Sequence, residues 1–189
     1  MERDPDYSRV IAVFATYGFR KASMGDLAEA AGVSRQTLYN RFSDKQAVLD
    51  WAVGGVAAAA DARAIAALDA DGDVVARLTG FFVGWLGQSV PIVRGLPHGA
   101  EIFDMATASL RAGSDETQSP AWRKLVGFLR DAGLAATDHA AEEGAYLLIL
   151  ASKGLMLKVS DTESYAAGMD RVVRYFTGAA PASAAIAAK

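Results

Sequence analysis

The sequence predicts an all-α chain of about nine helices. Alanine, the best helix former, recurs throughout the 189 residues. Apolar residues return at i, i+3, i+4 and i+7 in one segment after another, the period of a helix with one buried face. No Asn-Gly or Asp-Gly turn joins two alternating runs, so hairpins have no signal. With 52% hydrophobic residues the chain can build a sizeable core, and its length suits one domain or a small domain joined to a larger one.

The elements follow in order. A first helix is expected from about Asp6 to Tyr17, where Val10, Val13, Phe14 and Tyr17 form one stripe, and Gly18 ends it. A second starts at the cap Ser23, buries Leu27, Ala28 and Ala31, and stops at Gly32, where a left-handed residue belongs. Val33 plugs the turn. A third helix is capped by Ser34 and turns Leu38 and Phe42 inward. Ser43 and Gln46 have capping-box spacing for a fourth. Leu49, Ala52, Val53, Val56, Ala57 and Ala60 carry that helix to about Leu68. Gly54 and Gly55 weaken it by about 1 kcal/mol each relative to alanine, and close packing is the favoured reason for them.

The acidic stretch Asp69 to Asp73 breaks the chain. The next helix, from Val74 to about Ser89, carries Val74, Leu78, Phe81, Phe82 and Trp85 on one face, and Pro91 and Pro97 bracket an irregular connection. Further helices are expected from Gly99 to Leu110, from Ser119-Pro120 to Ala132, from Asp138 to Val159 and from Ser160 to Thr177. Ser160 and Glu163 have capping-box spacing for the last. Gly113 to Gln118 reads as a polar loop, and Ala179 to Lys189 as a flexible small-residue tail.

Residues 22–45 hold the most specific signal. Two short helical patterns meet at a glycine, and the second opens with polar and basic residues before turning apolar. A helix built this way can touch base edges with its first turn while its body packs on a core. Ser23 and Asp26 have capping-box spacing at the first of the pair. Arg35, Gln36, Thr37, Tyr39, Asn40 and Arg41 fall on or near the outer side of the second. Exposed helix starts favour acids, so Arg35 and Gln36 have no structural reason to stand there. Tyr39 as a cover for the small core and Arg41 as a solvated surface charge are the structural alternatives. Lys45 in a first helical turn opposes the helix dipole unless a phosphate lies nearby.

The run Val10-Ile-Ala-Val-Phe14-Ala-Thr-Tyr-Gly18-Phe19, then Ser23-Met24, Leu27-Ala28, Ala31-Gly-Val-Ser34, Thr37-Leu-Tyr39, Phe42 and Lys45, resembles the N-terminal domain of tetracycline-repressor (TetR) family regulators. The resemblance spans residues 8–53. It implies a three-helix, helix-turn-helix DNA-binding domain over 1–50, joined by the long helix to an effector-binding and dimerisation bundle over 51–178, with 179–189 as tail. It implies a homodimer on near-palindromic double-stranded DNA, in which Arg35, Gln36 and Thr37 meet base edges. Tyr39 and Lys45 would then contact phosphates, as would the Ser23 hydroxyl and its helix-start amide, with Asn40 and Arg41 against the backbone. Ser34 opens that surface. Many family members carry glycine where this chain has Gln36, a departure that concerns the operator sequence. A small-molecule effector follows from the same resemblance, and repression is the commoner family outcome; a cytoplasmic location is expected from the lack of cysteine and of a signal pattern.

Charge alone would not suggest nucleic acid, because the net charge is −3. The distribution softens that: from Arg20 to Lys45 there are five basic groups against three acidic, a local excess of +2. There is no cysteine, hence no disulfide, thiolate nucleophile or thiolate metal site. The first residues lack a basic-then-apolar signal pattern, and the apolar run Ala145 to Ala151 is too short to span a bilayer. Neither a phosphate-cradling glycine loop nor a Gly-x-Ser-x-Gly nucleophile motif is present, so no enzyme, catalytic residue, cofactor or metal is expected. His139 and Glu143 have metal-ligand spacing, but a solvated helix start accounts for them more simply. A small-molecule-binding helical protein without DNA-binding activity is the alternative to a regulator.

In the second half, Tyr146 to Leu150 are consecutive apolar residues that face all sides of a helix, more than a lone surface helix tolerates. Tyr146, Ile149, Leu150, Tyr165, Met169, Val172, Val173 and Phe176 are therefore the candidate dimer interface, with ordinary core as the simpler reading. Phe81, Phe82, Trp85, Phe103, Met105, Trp122, Phe128 and Met156 are candidates for an effector pocket, and together they suggest a largely apolar effector. Each of them alone fits a core position at least as well.

Overall fold

The computed structural model describes residues 6–113 and 119–180, and these contain only helices as regular structure. They are α1 (Tyr7–Tyr17), α2 (Met24–Ala31), α3 (Arg35–Arg41), α4 (Lys45–Asp69), α5 (Val74–Trp85), α6 (Val90–Gly95), α7 (Gly99–Gly113), α8 (Pro120–Asp131), α9 (Asp138–Met156) and α10 (Thr162–Thr177). All nine expected helices are there. The short α6, preceded by a 3₁₀ turn at Gly87–Ser89, occupies the stretch expected to be irregular. Pro91 does not prevent it, because it lies in the first turn, where its missing N–H would have no partner. The predicted loop at Gly113 to Gln118 and the tail after Ala180 fall largely outside the described residues.

The helix starts follow local chemistry, with two revisions. Asp44, not Ser43, caps α4 by accepting the Ala47 N–H at 2.9 Å, while Gln46 reaches forward to Asp50. Asp161, not Ser160, caps α10 by accepting the Ser164 N–H at 2.7 Å. A carboxylate is the stronger acceptor at an N-terminus, so it displaces the neighbouring hydroxyl.

The chain divides into two compact units, one of residues 1–60 with 89–119 and the other of residues 61–88 with 120–189. The first therefore extends beyond the expected boundary at residue 50. It takes in α6 and α7 because the His98 N–H bonds the Ala15 carbonyl at the end of α1 (2.8 Å) and Ile102 is buried in the same core. The corner between α6 and α7 is tight: a Cβ on Gly99 would lie 2.1 Å from the Ile92 carbonyl oxygen. The core of this unit joins Val10 and Phe14 of α1, Leu27 of α2, Leu38 of α3 and Val48, Leu49, Ala52 and Val53 of α4. Tyr17, expected on the buried stripe, is exposed instead.

In the second unit α5 packs along α10, and α8 along α9. Phe81 and Phe82 of α5, Leu125, Phe128 and Leu129 of α8, Met156 of α9 and Tyr165, Met169 and Val173 of α10 are buried. The helix α4 has the length and apolar composition of a membrane-crossing segment, with a mean hydropathy of 1.3 over its best window. Part of its apolar surface, 28% of that window, is buried within the protein. Val48, Leu49, Ala52 and Val53 serve the first unit's core, and Ala64 and Leu68 are buried beyond Asp61, where the helix belongs to the second.

Candidate nucleic-acid interface

The geometry of residues 22–45 is fixed by caps at both helices. The Ser23 hydroxyl accepts the Asp26 N–H, and Asp26 accepts the Ser23 N–H in return, a completed capping box. The Ser23 hydroxyl also donates to the Asp26 carboxylate at 2.7 Å, and this bond together with that from the Ser23 N–H holds the Asp26 carboxyl below its ordinary pKa. Gly32 takes the left-handed conformation at φ +71°, which lets its N–H and that of Val33 bond back into the last turn of α2. Ser34 then caps α3, accepting the Thr37 N–H at 3.0 Å, and its hydroxyl pairs with the Thr37 hydroxyl at 2.8 Å.

The third helix has one inward residue. Leu38 is 1% exposed, while Ser34, Arg35, Gln36, Thr37, Tyr39, Asn40 and Arg41 are all exposed. Tyr39 is half exposed and covers no core. The Arg35 guanidinium lies 5.6 Å from the Tyr39 ring centroid, and a hydrogen bond from it to the Tyr39 phenol raises its pKa above the ordinary arginine value. Phe42 and Val33 pack against the core as expected.

Lys45 departs from its expected role. Its ammonium donates to the Phe19 and Arg20 carbonyls, each at 2.8 Å, and to that of Ala22 at 3.2 Å, and it lies over the Phe19 ring. All three of its donors are engaged, so it ties the α1–α2 turn to α4 rather than standing free for a phosphate. The sequence showed a cation in an unfavourable first turn, but not the carbonyls that the turn folds over it. The exposed Arg20 and Lys21 sit on that same turn and entered the sequence reading only through the charge count.

Residues 11–51 match the family model for bacterial regulatory proteins of the tetR family. The chain carries a TetR-family N-terminal domain. Two solved structures share the fold of nearly the whole chain. One is described as a TetR-family transcriptional regulator from Rhodococcus sp., with 19% identity, a TM-score of 0.61 and coverage of 92% of this chain and 97% of that one. The other is a transcriptional regulator from Rhodococcus sp. Rha1, with 20% identity, a TM-score of 0.53 and coverage of 92% and 96%. No curated protein matches the chain. The TetR-family domain thus holds the helix-turn-helix, and the Ser34–Arg41 surface is its exposed part.

The second-unit candidates are redistributed. Of the eight pocket candidates, Phe81, Phe82, Phe128 and Met156 are buried core, while Trp85 and Trp122 are partly exposed. Phe103 and Met105 lie on α7 in the first unit, where Met105 packs on the core. Two recesses of about 410 Å³ open on the second unit, and of the eight only Phe128 lines either. One is bordered by Arg77, Arg123, Lys124, Asp69 and Asp131, a more charged lining than the aromatic content suggested.

Of the dimer candidates, Ile149, Tyr165, Met169 and Val173 are buried within one chain and cannot reach a second. Val172 is partly covered, and Phe176 fills the space above Gly144. Tyr146 and Leu150 are exposed, with Leu147 at 58% on the same helix, Leu157 at 55% just after it, and Tyr175 on α10 at 93%. Leu147, Leu157 and Tyr175 are exposed apolar residues outside the candidate set, because helical period identifies the faces without saying which one the monomer buries. His139 and Glu143 are exposed, and no group of three or more metal-ligating side chains gathers among the described residues.

Proposed function

We propose that this protein is a ligand-responsive transcriptional regulator that binds a near-palindromic operator as a homodimer. The exposure pattern of α3 carries the reading: one buried leucine anchors a helix whose start offers only polar and cationic groups. Arg35 suits guanine O6 and N7, and Gln36 suits adenine N6 and N7. Thr37, with its hydroxyl engaged by Ser34, offers a methyl that suits thymine. Tyr39, Asn40 and the capped start of α2 at Ser23 contact the DNA backbone, which orients the head without reading sequence.

The exposed apolar residues Tyr146, Leu147 and Leu150 on α9, with Leu157 just after it and Tyr175 on α10, support the homodimer, because large apolar side chains left in water in this number call for a partner. Two heads then meet successive major grooves roughly 34 Å apart. An effector bound by the second unit releases the DNA by favouring another spacing, and repression is the commoner outcome in the family that the first unit resembles. It must bind the two states differently, by about 5.5 kcal/mol for a 10⁴-fold shift.

A mobility shift on duplex from the region upstream of this protein's own coding sequence tests the reading. The wild-type chain binds it, and Arg35→Ala and Gln36→Ala each weaken that binding by about 1–3 kcal/mol, relaxing discrimination at one base pair. Equal affinity of wild type and both variants for operator and random duplex would remove the base-reading role.

A further inference from the structure

Arg41 closes α3 over a group of aromatic rings. Its guanidinium carbon lies 5.4 Å from the Trp51 ring centroid and 5.6 Å from that of Phe42. Trp51 contacts Phe42 at 5.1 Å and meets Tyr7 edge-on at 4.9 Å. A Cβ on Gly55 would fall 2.3 Å from the Tyr7 ring. Only glycine there lets the α1 tyrosine lie against α4 and brace the indole. This accounts for one member of the Gly54–Gly55 pair, since a Cβ on Gly54 would meet nothing within 4 Å.

We propose that Trp51, braced by Tyr7 and Gly55, is the platform that aims Arg41, already expected against the DNA backbone, at a phosphate. The proposal rests on the DNA-binding reading above. Two cations near the end of α3 could meet a phosphate, and their surroundings separate them. Lys45 has its three donors on carbonyls. Arg41 is exposed, and no hydrogen bond or ion pair of its guanidinium is recorded among the described residues, so the N–H edge of its fork remains open. A guanidinium with a face on aromatic rings keeps its in-plane donors outward, in the fork that matches phosphate oxygens.

The position also fits a backbone contact. The helix rises about 9 Å from Arg35 to Arg41, at about 1.5 Å per residue. The major groove is about 12 Å wide, so a helix that starts at base edges ends near the sugar–phosphate wall. A basic residue in a last turn also suits the helix dipole. The dipole alone would not require an indole beneath it, nor a glycine behind the tyrosine that supports that indole.

The test is fluorescence anisotropy of the full-length protein on the upstream duplex and on a random duplex, across a salt series. Arg41→Ala is expected to weaken both to the same degree and to lower the slope of log K against log salt by about 0.9 per head. Arg41→Lys should restore the slope but only part of the affinity. Trp51→Leu should weaken wild type several-fold on both duplexes and add nothing in the Arg41→Ala background, while Trp51→Phe keeps most of the affinity. An unchanged slope in Arg41→Ala, or a loss confined to one duplex, overturns the phosphate role. An equal effect of Trp51→Leu in both backgrounds overturns the platform. Circular dichroism identifies a variant that fails to fold, and Arg41→Ala, Arg41→Lys and Trp51→Phe still decide the question. If wild type binds neither duplex at low salt, the DNA-binding reading itself fails, a result distinct from a silent Arg41→Ala.

Discussion

The two units expose opposite kinds of surface. In the first, the outer face of α3 presents arginine, glutamine, threonine, tyrosine and asparagine around a single buried leucine. In the second, α9 exposes Tyr146, Leu147 and Leu150, with Leu157 just after it and Tyr175 on α10. A solvated, polar face suits a charged partner that comes and goes, because it loses little by returning to water. An apolar face suits a partner that stays, because returning leucines to water costs about 25 cal/mol per Å². On the proposed function, the difference teaches that one chain can separate reversible recognition from permanent assembly by the chemistry of two helix faces.

Removing the anchor of the polar face should have the largest effect. Leu38→Ala deletes a fully buried side chain from a small core and should destabilise the first unit by about 3 kcal/mol, abolishing DNA binding with it. Urea denaturation followed by circular dichroism measures this, and a loss below about 1 kcal/mol would mean that the head does not depend on that anchor. Next in size is the apolar face. Leu147→Glu with Leu150→Glu should weaken self-association at least 100-fold, about 2.7 kcal/mol, while each chain keeps its helical content. Sedimentation equilibrium decides, and an unchanged dimer would place the interface elsewhere.

A smaller effect is expected inside the second unit. Tyr165 is fully buried, and its hydroxyl has no hydrogen-bond partner among the described residues. Burial pushes the phenol pKa well up. Tyr165→Phe should therefore be neutral or stabilise by up to about 1 kcal/mol, the reverse of the usual loss at a core position. A melting temperature lowered by several degrees would show that the hydroxyl has a partner.

The smallest effect concerns acid. Asp26 and Asp44 are held below the ordinary aspartate value of 3.8 by the hydrogen bonds they accept at helix starts. Depressed values stabilise the folded head above the ordinary value, and that contribution is lost as pH falls through the depressed pKa. Asp61, raised by burial in the second unit, acts in the opposite sense and loses its contribution as pH rises. Amide signals of α2 should thus loosen first on acidification below about pH 4, and Asp26→Asn should flatten that response. An identical acid profile in the variant would remove Asp26 from the account.

The polar half of this comparison was more legible in the sequence than the apolar half. Ser23, Asp26, Gly32 and Ser34 act through bonds only a few residues away, so spacing alone locates the two helices and their turn. The outward set on α3 followed from the same spacing. Lys45 was misread because its partners at Phe19, Arg20 and Ala22 are brought to it by the fold, more than twenty residues upstream. Ile149, Tyr165, Met169 and Val173 were misread for a related reason. Period places them on apolar faces, but which face the chain keeps for itself depends on helices far away in sequence. The corner at His98 and Gly99 left no periodic signal, and a backbone bond to Ala15 is what draws α6 and α7 into the first unit.

Hydroxyl-radical footprinting of the full-length protein on the upstream duplex bears most directly on the proposal that two exposed α3 starts dock in successive major grooves. The expected pattern is two protected patches related by a dyad, with centres about 10 base pairs apart or a multiple of that. A single patch, or uniform cleavage at a salt concentration low enough to favour any phosphate contact, would contradict it.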